Sequence, residues 1–168
     1  LATPAQVGVR ETRHVLGQYV LTAEDVLACR RFPDVVALGA WQIELHSPDT
    51  RHITRRPIPE PGDYDIPYRC LLPQGVDGLL VAGRCLSASH EAAASLRVMA
   101  TCAATGQAAG AAAALSAARG TAPAELPVRD LQALLTGQGA ELGPYWRERG
   151  VGSVGDFSSC SQSTTLGS

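Results

Sequence analysis

The chain has 168 residues, enough for one ordinary domain, and a formal net charge of −2 with a pI near 6.1, so neither nucleic acid nor an anionic membrane surface is an expected partner. All 14 basic residues are arginine, which reads as the coding bias of a GC-rich, bacterial genome and excludes a Schiff-base lysine or a phosphate-loop lysine. The five cysteines (Cys29, Cys70, Cys85, Cys102, Cys160) are odd in number and widely spaced; a disulfide framework and a zinc cluster are unsupported, no metal is expected, and buried free thiols are.

Residues 1–9 read as a loose lead-in, and the opening on Leu1 in mid-pattern suggests a fragment of a longer chain. Arg10 to Leu21 alternates imperfectly and predicts a strand pair or hairpin. Thr22 then stands before Ala23-Glu24-Asp25 as an N-cap with acids in the first turn, so a short helix over Ala23 to Arg30 follows. Val35 to Leu45 alternates around Trp41, Ile43 and Leu45 and predicts a strand. Ser47 to Asp65 holds Pro48, Pro57, Pro59, Pro61 and Gly62, which suits an exposed irregular connection. Ile66 to Leu72 reads as an edge strand with Pro67 near its start, and residues 73–78 as a turn.

The stretch from Leu79 to Arg119 organises the rest. Leu79-Leu80-Val81-Ala82 has the length and aliphatic bias of a strand covered on both faces, and Gly83 breaks it. A polar connection holding His90 and Glu91 follows. From Val98 to Ala118 no residue is charged and eleven of 21 are alanine, the best helix former, so one long helix is expected. Gly106 and Gly110 in it read as packing positions. The run has the length of a membrane span, but it is poor in Leu, Ile, Val and Phe and carries Gln107 and several hydroxyls; a core helix and a cytoplasmic protein are the expectation. Gly120 stops the helix, and Pro127 begins another over Val128 to Gly137 with Leu131, Leu134 and Leu135 on one face. From Gly143 onward Gly and Ser are enriched without a period, predicting a flexible tail; Gly150, Gly152 and Gly155 lie there with no strand run before them and are rejected as a nucleotide-binding turn.

A strand, a glycine break and a helix amino terminus form a crevice in open α/β sheets. Unpaired N–H groups at the start of the long helix favour an anion, and Arg97 adds a full charge there. His90 is a candidate general acid or base facing the same crevice, against the alternative of a histidine that only packs or caps. Arg10, Glu11, Thr12 and Arg13 belong either to the substrate side or to an exposed charged strand.

The run IPYRCLLPQGVDGLLVAGRCLSASHEAAASLRVMATCAATGQAAGAAAAL resembles the carboxyl-terminal end of FAD-dependent oxidoreductases of the glutathione-reductase-like superfamily, which have a two-dinucleotide-binding-domain flavoprotein fold. RETRHVLGQYVLTAEDVLACRRFPDVVALGAWQIELHSP is similar to the preceding segment of that family, and LPVRDLQALLTGQGAEL to its closing helix. The resemblance implies an α/β chain, α+β in places: a fragment of a β-rich substrate domain over 1–62, the carboxyl-terminal part of a three-layer FAD-binding domain over 63–142, and the tail over 143–168. It implies FAD as cofactor and a small organic substrate as hydride donor. Gly83 and Arg84 are then expected near the ribityl-phosphate, and Arg97, Val98 and Met99 against the pyrimidine edge of the flavin ring, where donors stabilise the negative charge of the reduced form. His90 and Arg97 are the expected catalytic residues. The family's pyrophosphate-binding half is expected to be missing, so the chain alone is expected to be inactive. The competing expectation is a non-catalytic α/β module that docks on another chain.

Overall fold

The computed structural model describes residues 9–47 and 52–143; the predicted lead-in and tail fall largely outside them, and so does Cys160. Helix α1 spans Ala23–Leu27 and begins where predicted. The Thr22 side chain accepts from the Asp25 N–H (3.3 Å), and the Asp25 carboxylate accepts from the Thr22 N–H (3.0 Å), a reciprocal capping box. The helix ends three residues earlier than expected, before Cys29 at φ 48°.

Val35 to Leu45 makes two strands instead of one. Strand β1 (Val35–Gly39) pairs antiparallel with β4 (Tyr64–Pro67), and β2 (Ile43–His46) pairs antiparallel with β3 (Ile53–Arg56). Strand β3 lies inside the connection expected to be irregular. Prolines bracket Ile53–Arg56 but do not interrupt it, and its β-branched Ile53 and Thr54 suit the ladder. The expected strand over Ile66 to Leu72 is β4 followed at once by a 3₁₀ turn over Tyr68–Leu71. The expected hairpin over Arg10 to Leu21 is an extended segment with single bridges, Gly17 to Pro73 and Leu21 to Ala88.

Leu79 to Ala82 is extended, but it is in no ladder among the described residues. Its one backbone bond to the neighbouring chain runs from the Val81 N–H to the Leu71 carbonyl (2.9 Å). The aliphatic run suits a covered strand, yet among the described residues no strand pairs with it, and Leu79 stays 47 % exposed. The two sheets described are small and antiparallel.

Helix α2 (His90–Leu96) occupies what was expected to be a connection, so His90 and Glu91 sit in the first turn of a helix and not in a loop. Helix α3 (Met99–Arg119) follows at 94° to it and ends at Gly120, whose φ of 63° is the left-handed cap a glycine adopts without strain. No single described helix is long and apolar enough to cross a membrane. Helix α4 (Val128–Gly137) has the predicted bounds.

Small residues let α3 approach β1 closely. Its inner face is Thr101, Thr105, Ala108, Ala111, Ala112 and Ser116, all buried. The buried Gln132 of α4, a helix that also packs on α3, donates to the Pro33 and Val35 carbonyls (3.0 and 2.9 Å), tying α4 to the entry of the strand. Within the sheet Gly39 faces Tyr64, and a methyl group at Gly39 would overlap the buried Tyr64 ring. Only hydrogen fits there, so Gly39→Ala is expected to lower stability by about 3 kcal/mol, at the upper end of overpacking costs, read from the urea midpoint.

Burial also pushes Tyr64, Tyr68 and Cys70 up to about 12. Their unfolded counterparts ionise near pH 8.5 to 10, so between those values and about 12 the unfolded chain binds fewer protons than the folded one. Stability should therefore be full below about pH 8.5 and fall steadily above it. A urea midpoint that stays level between pH 8 and pH 11 would contradict this.

Candidate functional site

The break between α2 and α3 builds the site. Ser89 caps α2, its hydroxyl accepting from the Ala92 N–H (3.3 Å), and α2 ends at Arg97. Val98 is extended and starts α3 without any side-chain cap. The first backbone bond inside α3 runs from Cys102 to the Val98 carbonyl (3.0 Å), so the N–H groups of Met99, Ala100 and Thr101 precede the helical ladder. A 21-residue helix thus presents its electropositive end uncapped.

Two hollows meet at that end, with Trp41 and Val98 in the wall of both. One, of ≈ 510 Å³, is mixed in character, with Arg10, Glu44, Arg84 and Arg97 in its lining. The other, of ≈ 390 Å³, is mostly apolar and runs between β1 and α3 past Leu38, Ala100 and Ala104. The Arg97 guanidinium donates to the Glu44 carbonyl (2.8 Å), while the Glu44 carboxylate is taken by Arg55 (3.1 Å) and His46 (3.3 Å). Among the described residues no carboxylate forms an ion pair with Arg97. Burial first, and then the nearby Arg10, pull its proton affinity below the ordinary arginine value. An anionic atom in the hollow would offset both, as the charges of Glu11 and Glu44 do in part.

Gly83 opens a 3₁₀ turn over Gly83–Cys85 and packs on the same end of α3. Its φ of 69° is one a side chain resists, and its N–H donates to the Thr105 hydroxyl (3.1 Å). Arg84 reaches across to donate to the Val9 carbonyl. The structure therefore brings Arg84, Arg97 and Val98 to one hollow, with Gly83 opening the turn that carries Arg84. It leaves Met99 apart: the side chain is 89 % exposed and lines neither hollow. His90 also lines neither; its Nδ1 lies 2.7 Å from Glu11 Oε2. Glu91 faces Arg56 at 3.8 Å. The cysteines are less uniformly buried than expected. Cys70 is buried and Cys85 exposed, while Cys29 and Cys102 are half-buried, and all four are free thiols.

Sequence reasoning missed Trp41, Glu44 and Ser95. Nothing local marks them, because their roles depend on contacts across the chain. The Ser95 hydroxyl donates to the Trp41 carbonyl, so the 2.7 Å contact with Tyr64 is the Tyr64 O–H donating to Ser95 Oγ. This buried relay fixes the indole-bearing segment that forms the shared wall. Ser95→Ala leaves the Tyr64 hydroxyl buried without a partner and frees residues 40–42. A loss of about 1–3 kcal/mol is expected, with a matching change in Trp41 fluorescence. Wild-type stability with an altered fluorescence would show that the relay positions Trp41 without holding the fold.

The residues fit a flavin at this place. Uncapped N–H groups and an arginine without a carboxylate partner suit the acceptor-rich edge of its ring, and the apolar shelf between β1 and α3 suits its faces. No curated protein and no solved structure matches the chain. Residues 1–135 match the family described as FAD dependent oxidoreductase, and that span is most of the sequence. The chain belongs to the FAD dependent oxidoreductase family, and FAD is its cofactor.

Proposed function

We propose that residues 66–115 form the wall of the cofactor site that faces the flavin ring in an enzyme oxidising a small organic substrate. The FAD held there would accept a hydride from that substrate. The observation that carries this reading is the uncapped start of α3, with Arg97 beside it, opening on the ≈ 510 Å³ hollow. Met99, Ala100 and Thr101 would donate backbone hydrogen bonds, and Arg97 would hold charge against the ring edge. Gly83 would let the backbone approach the cofactor, and Arg84 would pair with a phosphate oxygen. Trp41 and Val98 would shield the ring from water. Met99 would then contribute its backbone alone, since its side chain points to solvent.

No strand, glycine-rich turn and helix that would cradle the pyrophosphate occurs among the described residues. We assign that cradle, and the rest of a three-layer sheet, to polypeptide outside this sequence, with 1–62 on the substrate side and 63–142 on the cofactor side. The rival reading, a module that docks on another chain without chemistry, is favoured only by the unpaired extended run at Leu79–Ala82.

In the FAD-loaded enzyme, Arg97→Gln removes a positive charge beside the ring and should lower the flavin reduction potential. Losing one charged hydrogen bond is worth about 1.5–3 kcal/mol, which corresponds to roughly 30–60 mV for two electrons. A potential unmoved by the substitution, measured by dye equilibration, would remove Arg97 from the flavin site.

A further inference from the structure

Glu11 lies between two histidines. His90 Nδ1 is 2.7 Å from its Oε2, and His14 Nε2 is 2.9 Å from its Oε1. The other nitrogen of His14, Nδ1, is 3.2 Å from the Leu86 carbonyl oxygen. Both nitrogens of His14 thus face acceptors, whereas a neutral imidazole donates from only one. For both contacts to be hydrogen bonds, a further proton must lie between Glu11 and His14. The backbone holds the cluster in place: the Val15 N–H donates to the Cys85 carbonyl (3.0 Å), and Ser89 caps the helix on which His90 is the first residue. Glu11 and His14 are half-buried, while the His90 side chain is 71 % exposed. No group of three His, Cys, Asp or Glu side chains among the described residues is arranged to hold a metal ion.

We propose that Glu11 is a positioning residue that fixes His90 as the Nδ1–H tautomer and so leaves the Nε2 lone pair free as a proton acceptor. A carboxylate accepts hydrogen bonds and donates none, so His90 must present its N–H to Glu11 from Nδ1. The proton then taken up at Nε2 comes from a substrate bearing O–H or N–H on the carbon that is oxidised. The N–H bond forms at Nε2 as the substrate's O–H or N–H bond breaks, and that bond's electron pair stays on the substrate. The hydride leaving the adjacent carbon belongs to the chemistry FAD supplies. The positive charge arriving on His90 is offset by Glu11, whose other oxygen His14 holds at 2.9 Å. Glu11 also lines a hollow of ≈ 290 Å³ whose walls include Arg10 and Arg84, the same arginines that line the larger hollow; His90 is outside its walls, and its side chain, 71 % exposed, is open to a substrate from solvent. The catalytic use of His90 rests on the flavoenzyme reading above; the tautomer assignment does not.

The test needs no FAD. Long-range ¹H–¹⁵N correlation spectra of the histidine-labelled chain, with His90 assigned by its loss in His90→Asn, read directly which ring nitrogen carries the proton. The wild-type chain should show His90 with a protonated Nδ1 and a bare Nε2 when neutral. Glu11→Ala should move that proton to Nε2, while His14 keeps its Nδ1 proton on the Leu86 carbonyl. His90 protonated on Nε2 in the wild type, or unaffected by Glu11→Ala, overturns the proposal. Should the alanine variant lose its fold, the wild-type spectrum alone decides. A flavin reading that fails elsewhere leaves this result standing, and the reverse also holds.

Discussion

The hydroxyl of Thr105 holds the site together. Fully buried on the inner face of α3, it accepts the Gly83 N–H and donates back into its own helix at the Thr101 carbonyl (3.0 Å). A threonine hydroxyl can serve both directions at once. Through this one atom the turn at Gly83 is fastened beside the start of α3, and the left-handed backbone of Gly83 makes the approach possible. A side chain begun there would meet the Cys102 sulfur at 3.7 Å, an ordinary contact, so the backbone conformation and not crowding calls for glycine. Arg84 then follows at a fixed height over the hollow.

The 94° bend between α2 and α3 sets the electrostatics. A continuous helix would have hidden the N–H groups of Met99, Ala100 and Thr101 in its own ladder. The bend frees them and places Arg97, the residue that caps the short helix, beside them. Glu44 is engaged by Arg55 and His46 and gives Arg97 its carbonyl, so no ion pair among the described residues neutralises Arg97. On the opposite wall Trp41 is held by Ser95 and Tyr64, so the two hollows of the site share one rigid partition.

Much of the helical frame was legible because its signals are local. Thr22 with Asp25 three residues on, the alanine run ending at Gly120, and Pro127 before Val128 each determine an end within a few residues. The seven-residue α2 was not legible, since Ala92-Ala93-Ala94 after a serine fits either a helix or a connection. Strand β3 was hidden by its proline neighbours, and Leu79–Ala82 misled in the other direction, an aliphatic run with no ladder to join. At the site, Arg97 and Val98 were visible as the start of a helix. The meeting of Glu11 with His90 was not, because no pattern spans 79 residues.

That separation has a consequence for the order of assembly. Residues 9–15 are stitched to 84–90 by contacts 72 to 79 residues apart, through His14, Arg84 and His90. The Leu21–Ala88 bridge already draws the two segments together, so the seam beyond it rests on part-exposed polar bonds that each add little. The helices and the β1–β4 pair gain burial without this seam. It closes last and parts first, so the protein can lose its proton-handling edge while the hydrophobic interior stays intact.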